Sequence, residues 1–163
     1  MYPMAALQVI IALLRIHKYP IGREYLMQKT DEQISYNMSR IRSKDTSIEV
    51  LLRRELWKRG LRYRKNYSAV TGKPDIVFKR RRIAVFCDSE FWHGYDWETR
   101  KQAIKSNREY WIPKIERNIK RDLFVNSVLR EQGWIVLRFW GKEIRTSLIA
   151  CADIIEKTVR STL

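Results

Sequence analysis

Asp75 and Asp88 flank a stretch in which Ile76-Val77-Phe78 and Ile83-Ala84-Val85-Phe86-Cys87 form apolar runs joined by the basic tetrad Lys79-Arg80-Arg81-Arg82. Two such runs across a short polar connection predict a β-hairpin, which sets the two carboxylates at neighbouring strand positions. Carboxylates brought together in this way offer hard oxygen donors. With a backbone carbonyl they can hold a divalent cation and still leave positions open for water and a phosphate. The chemistry that fits is metal-assisted hydrolysis of a phosphodiester.

The charge of the chain points to the same partner. Lys and Arg number 33 against 18 Asp and Glu, a formal net charge of +15 over 163 residues. That excess is far beyond what solubility asks of a small domain and implies a polyanion, although charge alone would suit RNA as well as double-stranded DNA. A chain of this length with 45% apolar residues buries roughly 70% of its unfolded surface, enough for one core. The two cysteines, Cys87 and Cys151, build neither a disulfide framework nor a thiolate zinc cluster, and a reducing, cytoplasmic setting is expected, with nucleoid association through DNA. Met4 to Leu14 is almost wholly apolar, but its 11 residues fall short of the ~20 needed to cross a bilayer. Its flanks do not read as those of a secretion signal, so no membrane partner is expected.

These residues need elements to position them. Asp45-Thr46-Ser47-Ile48-Glu49 has the form of a helix start, and Ile48, Leu51, Leu52 and Leu56 recur at helical spacing until Gly60. Leu61 to Lys65 predicts a short strand, 67–72 a loop, and then comes the hairpin with a solvated basic turn. Ile112 to Gln132 predicts a helix closed by Gly133, Trp134 to Trp140 a strand, and Glu143 to Val159 a final helix. The order helix, strands, helix, strand, helix predicts an α/β fold with a mixed sheet. Residues 1–35 differ in texture and read as an N-terminal extension, either a docked helix or a start-site extension with Met27 as an alternative first residue.

The hairpin resembles that of the PD-(D/E)xK nucleases, and the run Phe91-Trp92-His93-Gly94 after Asp88 resembles the very short patch repair (Vsr) DNA mismatch endonucleases. Further blocks fit the same family: Asn37 to Ile41 with Asp45 to Glu49, Gly72 to Asp75, Trp111 to Ile115 with Asn118, Arg121 and Asp122, and Gly133 to Trp140. The resemblance implies a restriction-endonuclease-like three-layer sandwich over residues 36–163, with a central mixed β-sheet flanked by helices. It further implies that Asp75 binds Mg²⁺ with the backbone carbonyl of Cys87, that His93 lies by the scissile phosphate, and that Glu49 approaches from the first helix to orient a water. Met38, Phe91 and Trp92 match residues that wedge open the base stack, and Arg40, Lys73 and Asn118 are candidate DNA contacts in the matched blocks.

The chain also departs from the family. The cysteines and histidine of the family's structural zinc site are replaced by Glu90, Tyr95, Asp96, Trp97 and Lys142, so a zinc-free loop held by aromatic side chains is expected. Asp88 stands where the mismatch enzymes commonly have a histidine, which makes it a candidate second metal-binding carboxylate. Glu90 stands where the superfamily's lysine would be, and it could bind a second metal or replace a lost zinc ligand.

Each candidate also has a purely structural explanation. Thr46-x-x-Glu49 is a capping box in its own right, Pro74-Asp75 could mark a turn, and Asp88 could cap a loop. His93 could hydrogen-bond a carbonyl, and Phe91-Trp92 could be core. Asn118, Arg121 and Asp122 share a helix face, where they form either a surface pair or a network behind the site. The reading that emerges is a Mg²⁺-dependent DNA endonuclease that nicks one strand beside a T:G mismatch. The alternatives are a restriction or host-defence nuclease without mismatch specificity and a DNA-binding module with a decayed site. A repair or defence protein is an expected further partner.

Overall fold

The computed structural model describes residues 44–162. The expectations for residues 1–35, and for Met38 and Arg40, lie outside the described residues.

Helix α1 (Ser47–Lys58) starts where the capping signal predicts, because Thr46 and Glu49 satisfy each other's backbone donors. Its Leu52 and Leu56 are fully buried, each removing apolar surface worth about 2 kcal/mol from water. The chain turns at Gly60 into β1 (Arg64–Lys65), the edge of a four-stranded sheet ordered β1-β2-β3-β4. β2 (Ile76–Phe78) and β3 (Ile83–Asp88) pair antiparallel, with Ile76 opposite Val85 and Phe78 opposite Ile83. β4 (Ile135–Trp140) lies parallel to β3, with Phe86 beside Arg138 and Asp88 beside Trp140. The sheet is therefore mixed. Only a long crossover can connect parallel strands, and residues between β3 and β4 provide it through α2 (Trp97–Ala103) and α3 (Arg108–Glu131).

Alternation along the strands builds two cores. Ile76, Phe78, Ile83, Val85 and Phe139 face α1 and the C-terminal helices, whereas Val77, Ala84 and Phe86 face Val125 and Leu129 of α3. This gives the three-layer sandwich. The C-terminal helix expected over Glu143 to Val159 is in fact two, α4 (Gly141–Thr146) and α5 (Leu148–Ser161), separated at Ser147. The break falls at consecutive hydroxyl residues, where the Thr146 hydroxyl bonds the Lys142 carbonyl and Ser147 leaves helical geometry. α3 also begins a turn earlier than its apolar spacing predicts, since Trp111 packs inward ahead of Ile115. The basic connection between β2 and β3 is a 3₁₀ turn over Lys79–Arg81. Lys79, Arg80 and Arg82 are exposed, whereas Arg81 reaches the carbonyl of Thr162. Among the described residues no helix is long and apolar enough to cross a membrane.

Candidate active site

Asp75 immediately precedes β2, so its place is set by the strand register. Pairing of Ile76 with Val85 brings it beside the end of β3, where its Oδ2 accepts the N–H of Cys87 at 2.7 Å. The approach from residue 72 also needs glycine: a Cβ on Gly72 would sit 2.4 Å from Val125 Cγ1, and its φ is +79°. Burial pushes the Asp75 carboxyl up to about 6; the Cys87 bond opposes this, and the charges of Glu49 and Asp88 add to it. Ionised Asp75 is thus poorly compensated by the protein alone.

Glu49 is almost fully buried on α1 and does the capping work that its spacing predicts. Its Oε1 accepts from the Thr46 N–H at 3.2 Å and the Thr46 hydroxyl at 2.7 Å, and its Oε2 from the Asp45 N–H at 3.1 Å. Its charge also helps to raise the Asp75 carboxyl, so capping the helix and standing near Asp75 are compatible. Arg53, one turn further along, donates to Asp45 at 2.6 Å and lies 3.7 Å from Glu49. The thiol of Cys87 is pushed up by burial and by the charges of Asp75, Glu49 and Asp88. Thiolate is therefore disfavoured there, which leaves the backbone as the means by which Cys87 can take part.

Asp88 is buried and heavily engaged. Arg138 grips it with two donors, Nε to Oδ2 at 2.6 Å and Nη2 to Oδ1 at 2.9 Å. The same guanidinium lies 3.2 Å from Asp122 on α3 and donates to Asn126 at 3.0 Å. His93 Nδ1 then meets Asp122 Oδ2 at 2.6 Å and lies 3.5 Å from Asp88. Burial works against ionising Asp122, but the His93 bond and the Arg138 charge outweigh it and hold its carboxyl below the usual range. An ionised Asp122 can only accept, so Nδ1 carries the proton of this hydrogen bond and Nε2 is the ring nitrogen turned away from Asp122. The arrangement is a histidine ring oriented by a carboxylate through Nδ1, with its far nitrogen directed away from that carboxylate.

The loop after β3 carries the aromatic residues. Phe91, Trp92 and Trp111 form a mutually edge-on trio with centroids 5.1–5.5 Å apart. Phe91 remains 38% exposed, so an apolar edge faces outward, while Tyr95 packs edge-on to Trp140 at 5.0 Å. Asn118 donates to the Trp92 carbonyl at 3.1 Å, which ties this loop to α3. Gly94 lets the loop lie close: its φ is +68°, and a Cβ would fall 2.4 Å from Ile119 Cδ1. Glu90 accepts from the Lys142 N–H and from Arg145, and these interactions with its own backbone N–H overcome burial to lower its carboxyl. Trp97 starts α2 and approaches Glu116 at 3.5 Å. Lys73 is exposed, with φ of 51° just ahead of Pro74.

The structure therefore brings Asp75, Glu49, Cys87 and Asp88 to one end of the sheet and attaches His93 to it through Asp88, Asp122 and Arg138. The motif reading did not single out Arg138 or Arg53 as site residues. Arg138 carried a signal, as the lone charge in the otherwise apolar β4 run, and Arg53 a weaker one, as the residue four after Glu49 on the face that also holds Leu52 and Leu56. Comparison with known proteins is consistent with this geometry. Residues 27–99 match the family described as DNA mismatch endonuclease Vsr. The chain is 50% identical over 131 residues to the type II nicking enzyme V.NmeDIP of Neisseria meningitidis serogroup C, covering 80% of this chain and 88% of that enzyme. It is 53% identical over 103 residues to the type II nicking enzyme V.HpaIIP of Haemophilus parainfluenzae, covering 63% and 73%. Identity to the DNA mismatch endonuclease Vsr of Escherichia coli K12 is 35% over 111 residues, covering 68% and 70%. With a sandwich fold, an acidic centre at one end of the sheet and relatives of this similarity along most of their length, the chain belongs to the Vsr family of DNA endonucleases.

Proposed function

We propose that this endonuclease nicks one strand of duplex DNA beside a T:G mismatch, using Mg²⁺ at Asp75. The observation that carries the reading is the state of Asp75 itself: a partly buried carboxyl, fixed through one oxygen by Cys87 and set against the charges of Glu49 and Asp88. Such a group is unfavourable when ionised alone and is relieved by a cation. The donor set fits Mg²⁺. The described residues hold no cluster of three His, Cys, Asp or Glu side chains that would form a cage, and Mg²⁺ commonly takes one or two carboxylates, keeps several waters and adds phosphate oxygens. Asp75 and the Cys87 carbonyl would hold it, and when bound it supplies Lewis-acid polarisation of the scissile phosphate.

The remaining roles fall to the chain's own groups. His93, its ring oriented through Nδ1, is placed to take a proton at Nε2 from an attacking water or to return one to the departing oxygen. Asp122 and Arg138 fix the ring and its tautomer. Asp88, with both oxygens engaged by Arg138, serves as a strut in this arrangement. Phe91 presents an exposed apolar edge beside the site, suited to entering a base step whose unstacking costs a few kcal/mol. The names of the relatives, nicking enzyme and mismatch endonuclease, support the single-strand cut and the mismatch target.

The test compares matched and T:G-mismatched duplexes and supercoiled plasmid, with Mg²⁺ or EDTA, for the wild type and Asp75→Ala. The expected result is nicking that needs the metal and Asp75 and favours the mismatch. Equal cutting of matched duplex would replace the repair reading with the defence-nuclease one, and binding without cleavage would leave a decayed site.

A further inference from the structure

At the opposite end of the β2–β3 hairpin from Asp75 lies an open cavity of about 480 Å³. It is bounded by the α1–β1 connection, the Lys79–Arg81 turn and Val159 of α5. Arg62, Arg64, Lys79, Arg80 and Arg81 line it, and among its lining residues there is no Asp or Glu. Leu61, Tyr63, Val77, Phe78 and Val159 supply the apolar part of its lining.

The cations here are held by neutral partners. Arg62 lies 3.8 Å over the Trp57 ring and donates to the Trp57 carbonyl at 3.4 Å. Arg64 lies 5.5 Å from the Tyr67 ring, and Arg81 donates to the carbonyl of Thr162. Lys79 and Arg80 are exposed and form no ion pair among the described residues. The contrast with nearby Arg59 is sharp, because that side chain is gripped by Glu55, Asp153 and Glu156. Around the cavity, positive charge is positioned and left uncompensated, an arrangement that favours a ligand carrying several negative charges.

We propose that this cavity binds the phosphodiester backbone of DNA outside the segment held at Asp75. The inference rests on the endonuclease reading, because DNA is the polyanion that the activity brings to the protein. Lys79 lies four residue steps along the strand from Asp75, about 13 Å at ~3.3 Å per residue. The turn therefore meets DNA beyond the scissile phosphate rather than at it. A second anchor at this distance gives longer DNA a greater hold on the enzyme and leaves the chemistry at Asp75 unchanged.

The experiment measures binding of a duplex of roughly 40 base pairs and of a short one that extends only about three base pairs, roughly 10 Å, beyond the nick on the side of the turn, across a salt series, for the wild type and Lys79→Glu/Arg80→Glu, together with single-turnover nicking of the short duplex. Two lost phosphate contacts should lower the slope of log affinity against log salt by about two for the long duplex and weaken it by about tenfold or more at 0.1 M salt. Short-duplex affinity and nicking should stay at wild-type values, and an unchanged melting temperature shows that the exposed substitutions leave the fold intact. Unchanged long-duplex affinity and slope would overturn the proposal. Equal losses on both lengths would also overturn it, because the turn would then belong to the site at Asp75. The binding arm needs no cleavage, so a wild type that binds without cutting refutes the endonuclease function separately from this site.

Discussion

Asp75→Asn should stabilise the metal-free protein while abolishing cleavage. The Asp75 carboxyl is displaced from 3.8 to about 6, first by burial and then by the charges of Glu49 and Asp88. A raised value means that proton binding favours the folded state. That contribution is complete below pH 3.8, is lost as pH rises, and is gone above about 6. At ~1.4 kcal/mol per tenfold, the displacement corresponds to about 3 kcal/mol carried as a penalty at pH 8. Asn removes the charge and keeps an oxygen to accept the Cys87 N–H, so most of the penalty should vanish. In a chain of this size that amounts to a rise in melting temperature of roughly 6–12 °C. Urea unfolding in EDTA should show a gap between variant and wild type that grows from about pH 4 to about pH 7 and then levels. Mg²⁺ should stabilise the wild type and close the gap, without effect on the variant. A variant less stable than the wild type at pH 8, or a gap independent of pH, would refute the argument that Asp75 is held uncompensated.

Mg²⁺ affinity measured by calorimetry should rise about tenfold per pH unit below about 6 and flatten above it, because the cation competes with the Asp75 proton. Asp122→Asn should slow single-turnover nicking by about 10²- to 10⁴-fold with DNA affinity within about twofold, since it unsettles the His93 tautomer; a loss confined to affinity would count against the dyad. Arg138→Met should destabilise by about 3–5 kcal/mol in urea at pH 8, because it strands Asp88 and Asp122 as buried charges. Adding Asp88→Asn should recover part of that loss, and no recovery would mean that the guanidinium acts only through packing. Gly94→Ala should cost about 1–3 kcal/mol from the contact with Ile119 and the positive φ, a loss that Ile119→Ala should lessen if the contact is its source.

The sequence alone determined the elements whose signals are local. The capping box at Thr46 and Glu49 placed α1, and the apolar runs on either side of Lys79–Arg82 placed the hairpin, with Asp75 and Asp88 at neighbouring strand positions. The motif blocks that share these positions were enough to indicate the family and the nuclease chemistry. The exact ends of α3 and the break at Ser147 were less legible, since both turn on which side chains find a partner rather than on periodicity.

Only the tertiary structure decided how the candidate groups are connected. Asp88 and Arg138 are 50 residues apart, and His93 and Asp122 are 29 apart. No propensity or spacing links such pairs; they meet because β3 and β4 run parallel and α3 crosses the same face. That meeting makes Asp88 a partner of arginine and gives His93 its orientation. Likewise Glu90, which the sequence left open between a metal and a lost zinc clamp, is engaged by Lys142 and Arg145. A carboxylate's chemistry is set by its nearest charges, and in this chain those charges arrive from distant segments through the packing of the sheet.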